Sequence, residues 1–162
     1  MKQHERALLL SVRPRYAESI MNGSKTAEIR RQRPSVELGA PVIIYATQPV
    51  AAVVGSARIV DVHHGSPSDV WADHHDALGI SQDEFDDYVA GVRAAYVLTL
   101  DEVLRLAAPL TLDEMRTASG FHPPRSYRYV TRTELGKFVN GHPGGDSLLS
   151  LLPENGILRP RR

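Results

Sequence analysis

The order of the apolar runs limits what this chain can fold into more than any other feature. "ALLLSV" (7–12), "PVIIYA" (41–46) and "AAVVGSARIVDV" (51–62) have the length and β-branched content of strands, and they precede the clearly helical part. Two or three helices then interrupt, after which "AAYVLTL" (94–100) and "SYRYVT" (126–131) return to strand. Strands and helices that do not alternate one for one argue against a doubly wound parallel sheet. A mixed sheet curled into a small β-barrel, with helices packed outside, fits this order and makes the fold class α+β. At 162 residues the chain suffices for one domain with a sizeable core.

The helix signals are local and specific. In "RPRYAESIMNG" Pro14 stands at a first helical position, Ala17, Ile20 and Met21 share a face, and Asn22-Gly23 forms a C-cap. Ser66-Pro67-Ser68-Asp69 opens a second helix that Gly79 closes. Ser81 to Glu84 and Thr111 to Glu114 fit capping boxes, with Ile80/Phe85 and Leu110/Met115 as their hydrophobic staples; Gly91 is expected to end the former helix. Gly55 marks a bulge or bend within the 51–62 strand. After Arg132 the pattern weakens: "NGHPGGDS" reads as loop, "LLSLLP" as a short apolar plug and "RPRR" as a mobile basic tail. The expected division is a domain over 1–131 and a C-terminal extension over 132–162.

Composition narrows the function classes. There is no cysteine, which excludes disulfides and thiolate metal sites. No run approaches the ~20 apolar residues of a membrane span. "MKQHERALLLSV" reads poorly as a signal peptide, so a soluble, cytoplasmic protein is expected. The net charge of zero hides an uneven distribution. Residues 1–33 hold eight Lys/Arg against three Asp/Glu, residues 34–122 four against thirteen, and residues 123–162 seven against three. Two basic ends that meet in space would form a basic face; solvated charges on opposite sides are the alternative.

Few residues suggest chemistry by spacing alone. His63-His64 and His74-His75 lie near Asp61, Asp73 and Asp76 but lack a metal-ligand pattern, so no metal is expected there, and no cofactor fingerprint is present. Tyr127 and Tyr129 alternate with Arg128, as base-stacking residues or as two core rings around one exposed cation. "GSKTAEIRR" (23–31) is the densest charged stretch of strand type. Lys25 sits at its mouth, Ala27 and Ile29 point one way, and Thr26, Glu28 and Arg30 the other, with Glu28 and Arg30 about 7 Å apart. It reads as the lining of a site or as a solvated edge strand.

"LLLSVRPRYAESIMNGSKTAEIRR", "GAPVIIYATQPVAAVVGSARIVDV", "DVW", "FDDYVAG", "AAYVLTL" and "PPRSYRYV", in that order, resemble the ASCH (activating-signal-cointegrator homology) family of the PUA-like superfamily, over about residues 7–131. The resemblance implies a PUA-like barrel with a cleft rimmed by Gly23, Lys25, Glu28 and Arg30. It implies binding of a nucleic acid, RNA first, or of a nucleotide or nucleoside. Lys25 and Arg30 would meet phosphate or a base edge, and Glu28 would orient them or accept from a base amino group. Ser11 and Arg13 would sit nearby, Tyr45 would stack, and Ser126 and Arg128 would return to the cleft. Some relatives resemble small amidohydrolases of acylated cytidine nucleosides that use a Lys, a Thr three residues later and a distant Glu. Here Lys25 matches, Glu28 replaces the Thr, and Asp76, Leu78 and Glu84 give no register for the distant Glu. A ribonuclease, with Lys25 stabilising charge and Glu28 as general base, is a further alternative, and a protein-interaction module using the acidic helices is a third. Arg30 and Arg31 disfavour the charge on Lys25 while Glu28 favours it, and the charged form is expected.

Overall fold

A computed structural model describes residues 4–153 of the chain. The elements run β1 (Arg6–Val12), α1 (Pro14–Met21), β2 (Ala27–Arg30), β3 (Pro41–Ala46), β4 (Ala52–Gly65), α2 (Pro67–Leu78), α3 (Gln82–Tyr88), β5 (Ala95–Thr111), α4 (Leu112–Ser119), β6 (Tyr127–Thr131), α5 (Arg132–Phe138) and α6 (Gly145–Leu149). The six strands form one mixed sheet in the order β2-β5-β4-β3-β1-β6, in which only β1 and β3 are parallel. None of the described helices is long and apolar enough to cross a membrane.

Most local signals become the expected elements. Pro14 opens α1, and Asn22 caps it ahead of Gly23 at φ 86°. Ser66 accepts from Asp69 N at the start of α2, and Gly79 ends that helix in the left-handed region at φ 63°. Both expected capping boxes form, and Thr131 with Glu134 adds a third that the sequence reading missed. The helix expected to run to Gly91 stops at Tyr88. The strand expected over 94–100 continues to Thr111, because β4 supplies a partner well beyond the apolar run. Gly55 lies at a register shift against both β3 and β5, and a Cβ there would overlap Leu104 O and Met21 Sδ.

Strand alternation separates three apolar clusters. Leu8, Leu10 and Val12 face inward with Val42, Ile44, Ile59 and Leu98, and Ala17 and Ile20 of α1 fill this interior. Ala7 and Leu9 face the other way and meet Ile43, Val53, Met115, Leu135, Phe138 and Leu148. The third cluster packs Ala27 and Ile29 of β2 against Val70, Leu78 and Phe85 of α2 and α3. The part of the extension up to Leu152 therefore shares a core with β1 and β3, and Arg132 fastens it by donating to Leu149 O and, at 2.7 Å, to Leu152 O. The expected basic tail lies outside the described residues.

The sheet curls but does not close as a barrel. β2 pairs only with β5 and β6 only with β1, which leaves both as edges among the described residues. β2 is four residues long and pairs on one side only, and its other side is bridged by the Arg30 side chain instead.

Candidate functional site

The open side of β2, facing the end of β1 and the residues before β6, is where the charged stretch 23–31 ends up. All four residues of β2 are buried, so the solvated-edge reading does not hold. Ala27 and Ile29 enter the α2/α3 cluster, and Glu28 and Arg30 project from the opposite face. Arg30, 7% exposed, donates to Glu28 Oε2 at 2.6 Å, to Ser11 O at 3.2 Å and to Ser126 Oγ at 3.0 Å. One guanidinium thus ties β2 to β1 and to the residue before β6. Its Nε has no partner among the described residues.

Glu28 is the centre of an ion triad. Its Oε1 lies 3.2 Å from Lys25 Nζ and its Oε2 meets Arg30, so both oxygens are engaged. Lys25, 1% exposed, also donates to Leu78 O. Gly79 makes that approach possible, since a Cβ there would come 2.9 Å from Lys25 Cβ. Burial draws the Lys25 pKa below its ordinary value; Glu28 opposes this by charge and hydrogen bond, and Arg30 adds to it. Desolvation, rather than like charge alone, is therefore the main pressure on this ammonium.

Above the triad lies a cleft of about 630 Å³. Its lining includes Arg13, Arg31 and Arg125 together with Ile80, Glu84, Asp87 and Tyr88 of the α3 region. The side chains of Arg13, Arg125 and Asp87 are exposed and make no hydrogen bond or ion pair among the described residues. Arg31 lies over the Tyr88 ring at 5.1 Å. Tyr16 donates to Glu84 Oε2 at 2.5 Å, and Arg15 pairs with the same oxygen, so α1 and α3 are joined across the cleft. Lys25 Nζ lies 5.3 Å from the Tyr16 ring centroid.

The expected site residues divide clearly. Ser11, Arg13, Lys25, Glu28 and Arg30 line the cleft. Ser126 joins them through Arg30, and its carbonyl accepts from Ser11 N at 2.9 Å. Tyr45 does not line it: at 2% exposure it packs with Leu9 and Ile43 in the core, and burial raises its pKa. Arg128 does not line it either. Register with β1 places Tyr127 and Tyr129 opposite Leu10 and Leu8, so both rings border the interior, and Arg128 turns outward to Glu134 at 2.7 Å. Arg125 takes its place, because the loop before β6 is pinned by Ser11 Oγ donating to Pro124 O at 2.7 Å. Of Asp76, Leu78 and Glu84, only Glu84 lines the cleft, and its Oε1 is committed to the cap of α3. The histidines lie elsewhere: His63 meets Asp61 at 3.0 Å and the His74 ring at 4.8 Å, and His75 stacks on Trp71. No group of three potential ligands that could hold a metal ion occurs among the described residues.

Fold and cleft together define a class: an α+β domain whose mixed sheet is left open at one seam, with a buried ion triad at that seam. The chain belongs to the ASCH domain family, whose model matches residues 10–102. An ASCH domain-containing ribonuclease from Zymomonas mobilis is 30% identical over 133 residues, 82% of this chain and 89% of the relative. The crystal structure of ASCH from Zymomonas mobilis superposes with a TM-score of 0.78 at 29% identity, covering 85% of this chain and 96% of that one. Large ribosomal subunit protein uL22 from Ureaplasma parvum serovar 3 is 24% identical over 123 residues, 76% of this chain but only 39% of the relative.

Proposed function

We infer that the cleft binds single-stranded RNA and that the protein is a ribonuclease. The observation that carries this reading is the pair of unpaired guanidinia, Arg13 and Arg125, beside the buried Lys25–Glu28–Arg30 triad in one cleft. Exposed, unneutralised arginines suit phosphate, and a fixed buried cation beneath them suits charge that develops at phosphorus. The Zymomonas relative, named as a ribonuclease, supports the activity, and the uL22 relative supports an RNA setting. The PUA-like character implied by the sequence agrees with the same reading.

In such a cleavage the 2′-hydroxyl attacks the adjacent phosphorus and the P–O5′ bond breaks. A 2′,3′-cyclic phosphate and a 5′-hydroxyl result. The 2′ proton needs an acceptor, and Glu28 is a poor one because both its oxygens are engaged. Asp87, unpaired and in the same cleft, takes that role. Lys25, whose pKa burial lowers, donates the proton to O5′.

The test pairs binding with turnover. Affinity for single-stranded RNA should fall with salt at a log–log slope of about −0.7 per phosphate contacted. Replacing Arg13 and Arg125 with Ala should flatten that slope by about 0.7 to 1.4, and Arg128→Ala should leave it unchanged. Lys25→Met should retain RNA but release no cyclic phosphate, and an oligonucleotide with a 2′-deoxy sugar at the cleaved position should stay intact. Salt-independent retention would remove the binding reading. Turnover of an acylated cytidine without RNA cleavage would put the amidohydrolase in its place.

A further inference from the structure

A second cavity, of about 510 Å³, opens two residues along the chain from the cleft. Its lining includes His4, Glu5, Arg6, Arg33, Ser35 and Glu37. Arg31 borders the cleft and Arg33 this cavity, and two residues of chain keep their Cα atoms within about 7 Å of each other, a short basic stretch between the two spaces.

The cavity carries a built platform. The Arg6 guanidinium lies 3.9 Å from the Tyr129 ring centroid and donates to Ser35 O at 3.1 Å. Tyr129 is fixed in turn, its hydroxyl accepting from Ser35 N at 2.5 Å. The guanidinium sits over one face of the ring and Arg6 is exposed, so a second planar group can approach it from solvent. Arginine planes of this kind are stacking surfaces for unpaired bases. Arg33 is exposed and makes no hydrogen bond or ion pair among the described residues. Glu5 on the wall disfavours a phosphate inside the cavity and suits the amino edge of a base. Phosphate fits the Arg31–Arg33 stretch and the base fits the cavity.

We propose that this cavity is a second nucleotide subsite, in which a base stacks on Arg6 while the RNA backbone crosses Arg31 and Arg33 from the nucleotide held in the cleft. The proposal rests on the RNA reading of the cleft. It makes the protein a reader of short single-stranded segments rather than of single nucleotides.

Binding of adenylates one to six nucleotides long, 2′-O-methylated so that none is cleaved, tests it by calorimetry at one salt concentration. Wild type should gain affinity with length in a second step beyond the shortest ligands. Arg6→Ala with Arg33→Ala should leave the shortest adenylates unaffected and weaken the longer ones about 5- to 140-fold, the span of one stacked base. Arg33→Ala alone changes only an exposed side chain, so it isolates the basic stretch from any loss of Arg6 packing. It should flatten the salt slope of the longer adenylates by about 0.7. A wild-type affinity that stops rising after the shortest ligands, or a second step that the double variant retains, would overturn the subsite and leave the cleft reading intact. Failure of every adenylate to bind wild type would overturn both.

Discussion

Glu28→Gln removes the only anion of the buried triad and leaves Lys25 and Arg30 facing each other. At an effective dielectric of about 20, the pair at 3.2 Å attracts by about 5 kcal/mol and the pair at 2.6 Å by about 6 kcal/mol before desolvation is set against them. The Gln amide keeps one acceptor but no charge. Removing one partner from a buried ion pair costs about 3–5 kcal/mol, and that is the loss expected in urea unfolding. Lys25→Met should be milder. It conserves volume, takes away a charge that burial disfavours and leaves Glu28 paired with Arg30, so the main loss is the donor to Leu78 O, about 1–3 kcal/mol. The double variant should cost less than the sum of the singles by about 1–3 kcal/mol, because the second substitution removes a charge the first left unpaired. A Glu28→Gln protein within about 1 kcal/mol of wild type, or strictly additive singles, would refute the triad as the organising interaction of the cleft.

Lys25 also carries a pH signature. Its folded pKa lies below 10.5, so the unfolded chain binds the extra proton in the window between the two values, and wild type should gain stability relative to Lys25→Met as pH rises through that window towards 10.5. A difference that falls with rising pH would contradict the burial argument. Gly79→Ala should cost about 1–2 kcal/mol for left-handed backbone and should impair cleavage beyond that loss, because its Cβ presses on Lys25; thermal unfolding and a turnover assay measure the two effects. Gly55→Ala should destabilise by about 2–3 kcal/mol without a selective effect on RNA binding, since it meets Leu104 O on the neighbouring strand; urea midpoints with a binding assay check this.

What was legible in the sequence was local chemistry. Caps at Ser66, Ser81 and Thr111, the Pro14 start and the alternation of Ala27, Glu28, Ile29 and Arg30 each follow from short-range rules, and the structure contains all of them. What failed needed register. Arg128 and Arg125 are three residues apart with the same side chain, and only pairing with β1 decides which one meets the cleft. Tyr45 sits opposite Ser11 in the parallel pair, yet its ring is covered by the helices after β5 and β6, which no spacing within β3 reveals. The second half of β5 holds Asp101, Glu102 and Pro109 and was invisible as strand until β4 supplied a partner. The burial of Glu28 and Arg30 was illegible for the same reason, since a charged alternation is expected to face water unless its charges neutralise each other.

A sheet that stops one ladder short of closure has a designed vulnerability at its joint. Hydrogen-bonding capacity that a longer β2 would spend on backbone pairing is spent here on a single guanidinium, which links β2 to Ser11 and Ser126. Extending β2 so that it paired with the other free edge, β6, would add backbone bonds and firm the domain, and would narrow the cleft in doing so. A firmer domain and an open binding seam therefore make opposite demands on one short strand.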